Sequence, residues 1–240
     1  LLRNNMKSVV RNGIEFLVVN DTKNKNFWDY DSWESDNYQI IKEKCINHTT
    51  FVNAGGWIGP FTIFSSKIFK DVYSLEPDTV AYDELKRNVE LNNCDNVKIF
   101  NKAFYDENTT IEIGSNYSEL GGSGTSVFQD KNLISVETIT IKDFFKTELI
   151  NEKTLLMLDV EGSEYLLFKD FDFFEEFKPT ILLSLHLTFL NNENYNTLIS
   201  SLEKLLSIYD FNIEEIKRNR EFLQYGSSFK EINILMEVKK

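Results

Sequence analysis

From Thr49 onwards, short apolar runs alternate with amphipathic stretches. The runs predict strands at Thr50–Ala54, Val72–Leu75, Val97–Phe100, Leu155–Val160 and Thr180–Leu185. Between them, helices are predicted at Ile58–Ile68, Thr79–Leu91, Ser163–Phe168 and Tyr195–Ile208. This βαβα order is that of an α/β protein with a doubly wound sheet. LLML (Leu155–Leu158) and ILLSL (Ile181–Leu185) show no in/out alternation, as expected of central strands covered on both faces. All three prolines (Pro60, Pro77, Pro179) fall at strand–helix junctions, where a missing amide costs little. Asp78 or Thr79 is positioned to cap the helix that runs to Leu91.

Two regions break the rhythm. Before Thr49, Ile14–Asn20 reads as a strand and Asn37–Ile46 as a helix, joined by a polar stretch carrying Trp28, Tyr30 and Trp33. Between Tyr105 and Thr140, TTIEIG and LISVETIT read as a hairpin around the Gly-rich loop LGGSGTS (Leu120–Ser126). The expected organisation is an appendage over residues 1–48, then one domain over 49–240 with the hairpin inserted at about 105–140. At the far end, FNIEEIKR and INILMEV read as two strands too close for a crossover, hence an antiparallel hairpin.

Composition narrows the partners. Lys and Arg number 26 against 38 Asp and Glu, a formal charge of -12. A field of that sign disfavours phosphate backbones and anionic membranes, and no Lys/Arg run supplies a local exception. Neither nucleic acid nor a membrane is therefore expected as partner. Cys45 and Cys94 form no C-x-x-C pair, which fits a reducing compartment. No apolar run reaches membrane-spanning length, and residues 1–20 lack the apolar segment of a signal peptide. An intracellular, cytoplasmic protein is expected.

The chemistry concentrates at predicted strand ends. Gly55, Gly56 and Gly59 follow a strand and open a helix, where α/β sheets bind ligands. Glu76 ends the next strand, so its carboxylate is placed to accept hydrogen bonds from the ribose hydroxyls of an adenosine. The turn lacks the GxGxxG pattern that cradles a pyrophosphate, which favours S-adenosylmethionine over NAD. Further on, Asp159 and Glu161 alternate on one strand and so share a face. Gly162 permits a turn, Glu164 opens the next helix, and His186 closes ILLSL. Glu164 alone has a sufficient structural explanation in the helix dipole.

FVNAGGWIGPFTIF, VYSLEPDTVAYDELKRNVELNN, NVKIFNKAF, ETITIKDFF, LLMLDVEGSEYLLFKDF and KPTILLSLH together resemble the FkbM family of methyltransferases over about Phe51–His186. The resemblance implies a class I (Rossmann-like) methyltransferase sheet with an antiparallel C-terminal strand. It also implies O-methylation of a small-molecule or sugar hydroxyl, with S-adenosylmethionine as cofactor. Gly55, Gly56, Gly59 and Glu76 should line the cofactor pocket. Asn101, Lys102 and Ala103 should lie beside the adenine, and Asp159 near the methyl group. Two departures stand out. Asn53 replaces a family carboxylate that helps hold the cofactor's amino group, losing its charge-assisted hydrogen bond. Trp57 replaces a small polar residue at the mouth of the turn, where it would pack, stack on the ligand or occlude the pocket.

In-line methyl transfer needs alignment of acceptor, methyl and sulfur, and a base for the hydroxyl proton. Asp159, Glu161 and His186 are the candidates for this chemistry, with His186 or Glu161 taking the proton and Asp159 orienting the reactants. No metal site is assigned, although the same three residues have the chemistry to share a divalent cation such as Mg²⁺. Two rival readings remain on the residues alone: a non-catalytic binding module on the same scaffold, and an NAD-dependent dehydrogenase.

Overall fold

The computed structural model describes residues 5–115, 120–151, 153–224 and 232–239. It opens with a hairpin of β1 (Met6–Arg11) and β2 (Ile14–Val19), followed by helix α1 (Ser35–Lys44). An alternating series follows: β3 (Thr50–Ala54), α2 (Pro60–Ser66), β4 (Asp71–Leu75), α3 (Thr79–Leu91) and β5 (Val97–Phe100). Four strands and a helix come next: β6 (Ala103–Phe104), β7 (Thr110–Ser115), β8 (Thr125–Ser126), β9 (Ile134–Ile139) and α4 (Ile141–Thr147). The series resumes with β10 (Thr154–Leu158), α5 (Glu164–Leu167), α6 (Phe171–Phe177), β11 (Thr180–Leu185) and α7 (Asn192–Leu205). It closes with β12 (Tyr209–Asp210), α8 (Ile213–Gln224) and β13 (Ile232–Val238).

Among the described residues the main sheet runs in the order β12-β13-β11-β10-β3-β4-β5. Its five central and far strands are parallel, while β13 is antiparallel to both β11 and β12. The antiparallel last strand is as expected; its predicted hairpin partner is not. Residues 213–218 of FNIEEIKR lie in α8, and β13 is paired by β11 and the two-residue β12. Ile213 and Ile216 explain the difference. They are buried at a spacing of three, a helical stripe that a period-two reading mistakes for alternation.

Side chains of the central strands divide between two cores. Val52, Leu156, Leu158, Ile181 and Leu183 pack into one. Phe51, Leu155, Met157 and Leu182 pack into the other. Successive residues thus enter opposite cores, which is why these strands read as unbroken apolar runs.

The β1–β2 hairpin sits on the second core, with Val9, Phe16 and Val18 buried in it. It is tied to α3 by side chains reaching backbone: Asn88 and Asn92 accept from the amides of Val19 and Leu17 at 2.7 and 2.9 Å. Lower on the chain, β7 and β9 pair antiparallel, and β8 adds to β7. Among the described residues, no helix is long and apolar enough to cross a membrane.

Candidate active site at the strand ends

The register of the parallel strands aligns Ala54 with Leu75 and Leu158, and Leu75 with Phe100. Each of these residues ends its strand, as does Leu185 of β11. The first residues beyond the strands, read across the sheet, are therefore His186, Asp159, Gly55, Glu76 and Asn101. The sheet order reverses between β10 and β3, the topology that opens a crevice in α/β sheets. A cleft lies there, with ≈ 1050 Å³ of empty space counted out to its open mouth.

Not every predicted residue reaches the cleft. Gly55, Glu76, Lys102, Ala103, Asp159 and Glu161 line it; Asn53, Gly56, Gly59, Asn101 and His186 are not among its lining residues. The glycines have a packing explanation. A Cβ on Gly55, at φ +89°, would sit 1.9 Å from the Asp159 carbonyl oxygen, and one on Gly56 would sit 2.3 Å from Ser74 Oγ. Crowding between neighbouring strand ends demands glycine here, with or without a ligand.

Asn53 points away from the cleft. It is 1% exposed, its Nδ2 donates to Thr62 Oγ1 at 3.1 Å, and Thr62 donates in turn to Ser74. Its Oδ1 is buried without a hydrogen-bond partner. Asn101 positions rather than contacts: its Nδ2 donates to the carbonyls of Glu76 and Pro77 at 2.8 and 3.1 Å, fixing the turn that carries Glu76. Lys102 pairs with Glu137 at 3.0 Å.

Glu76 is 6% exposed and accepts from two backbone amides, Trp57 at 2.7 Å on Oε2 and Asp78 at 2.8 Å on Oε1. Burial raises its pKa from the ordinary carboxylate value to about 8, against those hydrogen bonds and helped by the charges of Asp78 and Glu161.

Trp57 packs and also lines the cleft. Its ring centroid lies 4.4 Å from Phe27 and 6.2 Å from Trp33, and its Nε1 donates to the Gly121 carbonyl at 3.1 Å. Asn24 donates to the same carbonyl at 3.1 Å. The Leu120–Ser126 loop is thereby joined to both the Gly-rich turn and the N-terminal region. Four of its residues line the cleft, a role the sequence signalled only by its glycines. Trp33, Phe61, Tyr105, Ile111 and Ile113 also line it. Their apolar character marks them as core in the sequence, so reasoning from residue type passes over them.

At the β10–β11 end, four titratable groups meet. His186 Nδ1 lies 2.9 Å from Glu164 Oε1, while its Nε2 lies 3.7 Å from both Asp159 Oδ1 and Glu161 Oε2. Strand β10 stops at Leu158, short of the predicted Val160, and Glu161 returns to the cleft through a turn at φ +51°. Burial opposes charge on His186, but the Glu164 hydrogen bond and charge, then Asp159 and Glu161, outweigh it and raise the pKa to about 10.

A family model for the methyltransferase FkbM domain matches residues 60–239, three quarters of the chain. The chain belongs to the FkbM methyltransferase family. The match begins at Pro60, just past the turn holding Asn53 and Trp57. No curated protein matches the sequence. Among solved structures, the fold is similar to a putative methyltransferase from Streptococcus mutans in complex with SAH. The two are 9% identical with TM-score 0.50, over 85% of this chain and 96% of that one. It is also similar to a putative transferase from Pyrococcus horikoshii, 10% identical with TM-score 0.50, over 98% and 72%. An rRNA methylase from Streptococcus thermophilus is 7% identical with TM-score 0.49, over 86% and 96%. The two likenesses at TM-score 0.50 show the class I methyltransferase fold of this FkbM chain, an α/β fold with a mixed central sheet.

Proposed function

We propose that this FkbM-family protein transfers a methyl group from S-adenosylmethionine to a hydroxyl of a small molecule or carbohydrate. The observation carrying this reading is the convergence of Gly55, Glu76 and Asp159, from three adjacent strand ends, on one cleft. The cofactor suits these residues. Each Glu76 oxygen already accepts one amide and keeps capacity for another donor, as two ribose hydroxyls require. Lys102 and Ala103 lie along the wall expected to flank the adenine. When bound, S-adenosylmethionine supplies an electrophilic methyl on a sulfonium.

Glu161, which faces the cleft, accepts the acceptor's hydroxyl proton as the O–CH₃ bond forms and the S–CH₃ bond breaks. The products are a methyl ether and S-adenosylhomocysteine. Asp159 orients the acceptor, and His186 holds the two carboxylates from behind. Acceptor choice falls to residues 1–48 and to the insert at about 105–140, which contribute Trp33 and Ile111, Ile113 and Thr125 to the cleft. A charge of -12 and an acid-rich cleft disfavour a polyphosphate acceptor such as RNA. The setting fits an intracellular enzyme supplied with S-adenosylmethionine.

Calorimetric titration with S-adenosylhomocysteine tests the reading. Micromolar binding that weakens at least tenfold in Glu76→Ala is expected. Tight NAD binding without S-adenosylhomocysteine binding would overturn it, and millimolar affinity would favour a non-catalytic scaffold.

A further inference from the structure

We propose that Asp159, Glu161 and His186 bind a divalent cation of the Mg²⁺/Mn²⁺ class at the reacting end of the cleft, an inference that rests on the function proposed above. The three side chains offer ligand atoms that all lie within 4.8 Å of one another. His186 Nε2 stands 3.7 Å from each carboxylate oxygen, beyond hydrogen-bonding distance. With metal–oxygen bonds of about 2.1 Å, ligands sharing one ion stand about 3 Å apart at right angles and about 4.2 Å apart in trans. The two His186 separations of 3.7 Å fall within that range.

Glu164 supplies an independent argument. It is fully buried, pinned by the Gly162 amide at 3.2 Å, and meets His186 Nδ1 at 2.9 Å. A carboxylate on one ring nitrogen fixes the imidazole so that the other nitrogen, once the cation displaces its proton to solvent, presents to a metal, the usual support of a histidine ligand. The same arrangement has less purpose if His186 merely fills core, because burying a second acid beneath it would be costly.

The frame is rigid. Asp159 and His186 follow adjacent parallel strands, and the Glu161 carbonyl accepts from Ser126 Oγ at 2.5 Å. Two oxygens and one imidazole nitrogen suit Mn²⁺ or Mg²⁺, with the remaining positions left to water and an acceptor oxygen. Asp159 and Glu161 line the cleft, so an ion here would be open on the acceptor side. There it would polarise the acceptor hydroxyl and ease loss of its proton to Glu161.

The test is Mn²⁺ titration of the EDTA-treated, dialysed full chain, followed by electron paramagnetic resonance, with S-adenosylhomocysteine affinity measured in parallel. One Mn²⁺ site per chain is expected, displaced by excess Mg²⁺. Glu161→Gln and Asp159→Asn should each weaken Mn²⁺ at least tenfold. Glu164→Gln should weaken it about tenfold through His186 alone. If S-adenosylhomocysteine binds but wild-type protein takes up no Mn²⁺ at millimolar concentration, the cation site is wrong and the methyltransferase reading stands. Wild-type Mn²⁺ affinity in both carboxylate variants would also overturn it. The wild-type titration decides the matter even if a variant fails to fold. Absence of S-adenosylhomocysteine binding would instead count against the function on which the site rests.

Discussion

The Gly121 amide donates to Asp78 Oδ2 at 2.5 Å, while Oδ1 of the same carboxylate accepts from the amides of Val80 and Ala81 at 2.8 and 3.2 Å. One side chain thus caps α3 and holds the Leu120–Ser126 loop, with Thr125 Oγ1 adding a bond at 3.0 Å. Asp78→Ala should cost about 1–2 kcal/mol for the lost cap and free the loop as well. Trp57→Phe should remove only one of the two donors on the Gly121 carbonyl, leaving Asn24, and leave the cap intact. Urea midpoints and limited proteolysis separate the two: both variants should be cut faster within 120–126, but only Asp78→Ala should lose substantial stability. Equal protection of that loop in all three proteins would refute the link.

Glu76 makes a pH prediction. Its pKa in the folded chain is about 8, above that of an exposed carboxylate. Its contribution to stability is therefore fully present below the unfolded value and is lost as pH rises towards 8. Glu76→Gln should melt above wild type at pH 8.5, by on the order of 1–2 kcal/mol, with the gap closing towards pH 5. Ribose hydroxyls favour the ionised form, so S-adenosylhomocysteine binding near pH 7 should release a proton and strengthen as pH rises to about 8. Calorimetry in buffers of different ionisation enthalpy would show this. Identical heats in all buffers would contradict it.

Gly55 and Gly13 make a matched pair. Both have positive φ, +89° and +81°, but a Cβ on Gly13 finds only Lys42 Nζ at 3.8 Å. Gly13→Ala should cost about 1 kcal/mol of backbone strain. Gly55→Ala adds a collision with the Asp159 backbone and should cost on the order of 3 kcal/mol or more. Denaturant midpoints that fall equally would show that the strand ends are less crowded than described.

Asn53→Asp restores the carboxylate of the family pattern. Because the side chain faces Thr62 in the core and not the cleft, the substitution should leave S-adenosylhomocysteine affinity within twofold. It should destabilise the chain by on the order of 2 kcal/mol at neutral pH, less in acid as the buried carboxyl takes a proton. A tenfold gain in affinity would place Asn53 in the cofactor's reach after all.

The sheet was legible because its central strands are covered on both faces and so appear as runs with no polar interruption. Short helices were not: α4 and α6 are seven residues each, and their paired phenylalanines (Phe144–Phe145, Phe173–Phe174) carry too little periodicity to declare a helix. β1 was missed because its strand form depends on pairing with β2 and on burial of Val9 in the second core, a tertiary fact. At the site, the acids fall at the strand ends that residue type and pattern suggest, whereas the amides are harder to read. Asn53 and Asn101 bond to this chain's own atoms, and nothing in a lone asparagine separates that from ligand contact. Glu161 was placed on the cleft side by an expected strand that ends earlier; a left-handed turn brings it there instead.

Because four parallel strands end in step, Glu76 and Asp159 owe their positions to backbone ladders and not to their own side-chain identity. Chemistry and architecture are thereby separable. Exchanging the residue at position 76 or 159 changes a side chain that lines the cleft while leaving the strand ladders in place. Deleting one residue inside β4 or β10 would instead slide an intact side chain off its station. The lining of the cleft is thus open to change by point substitution, while insertions are tolerated only in the loops beyond the ladder.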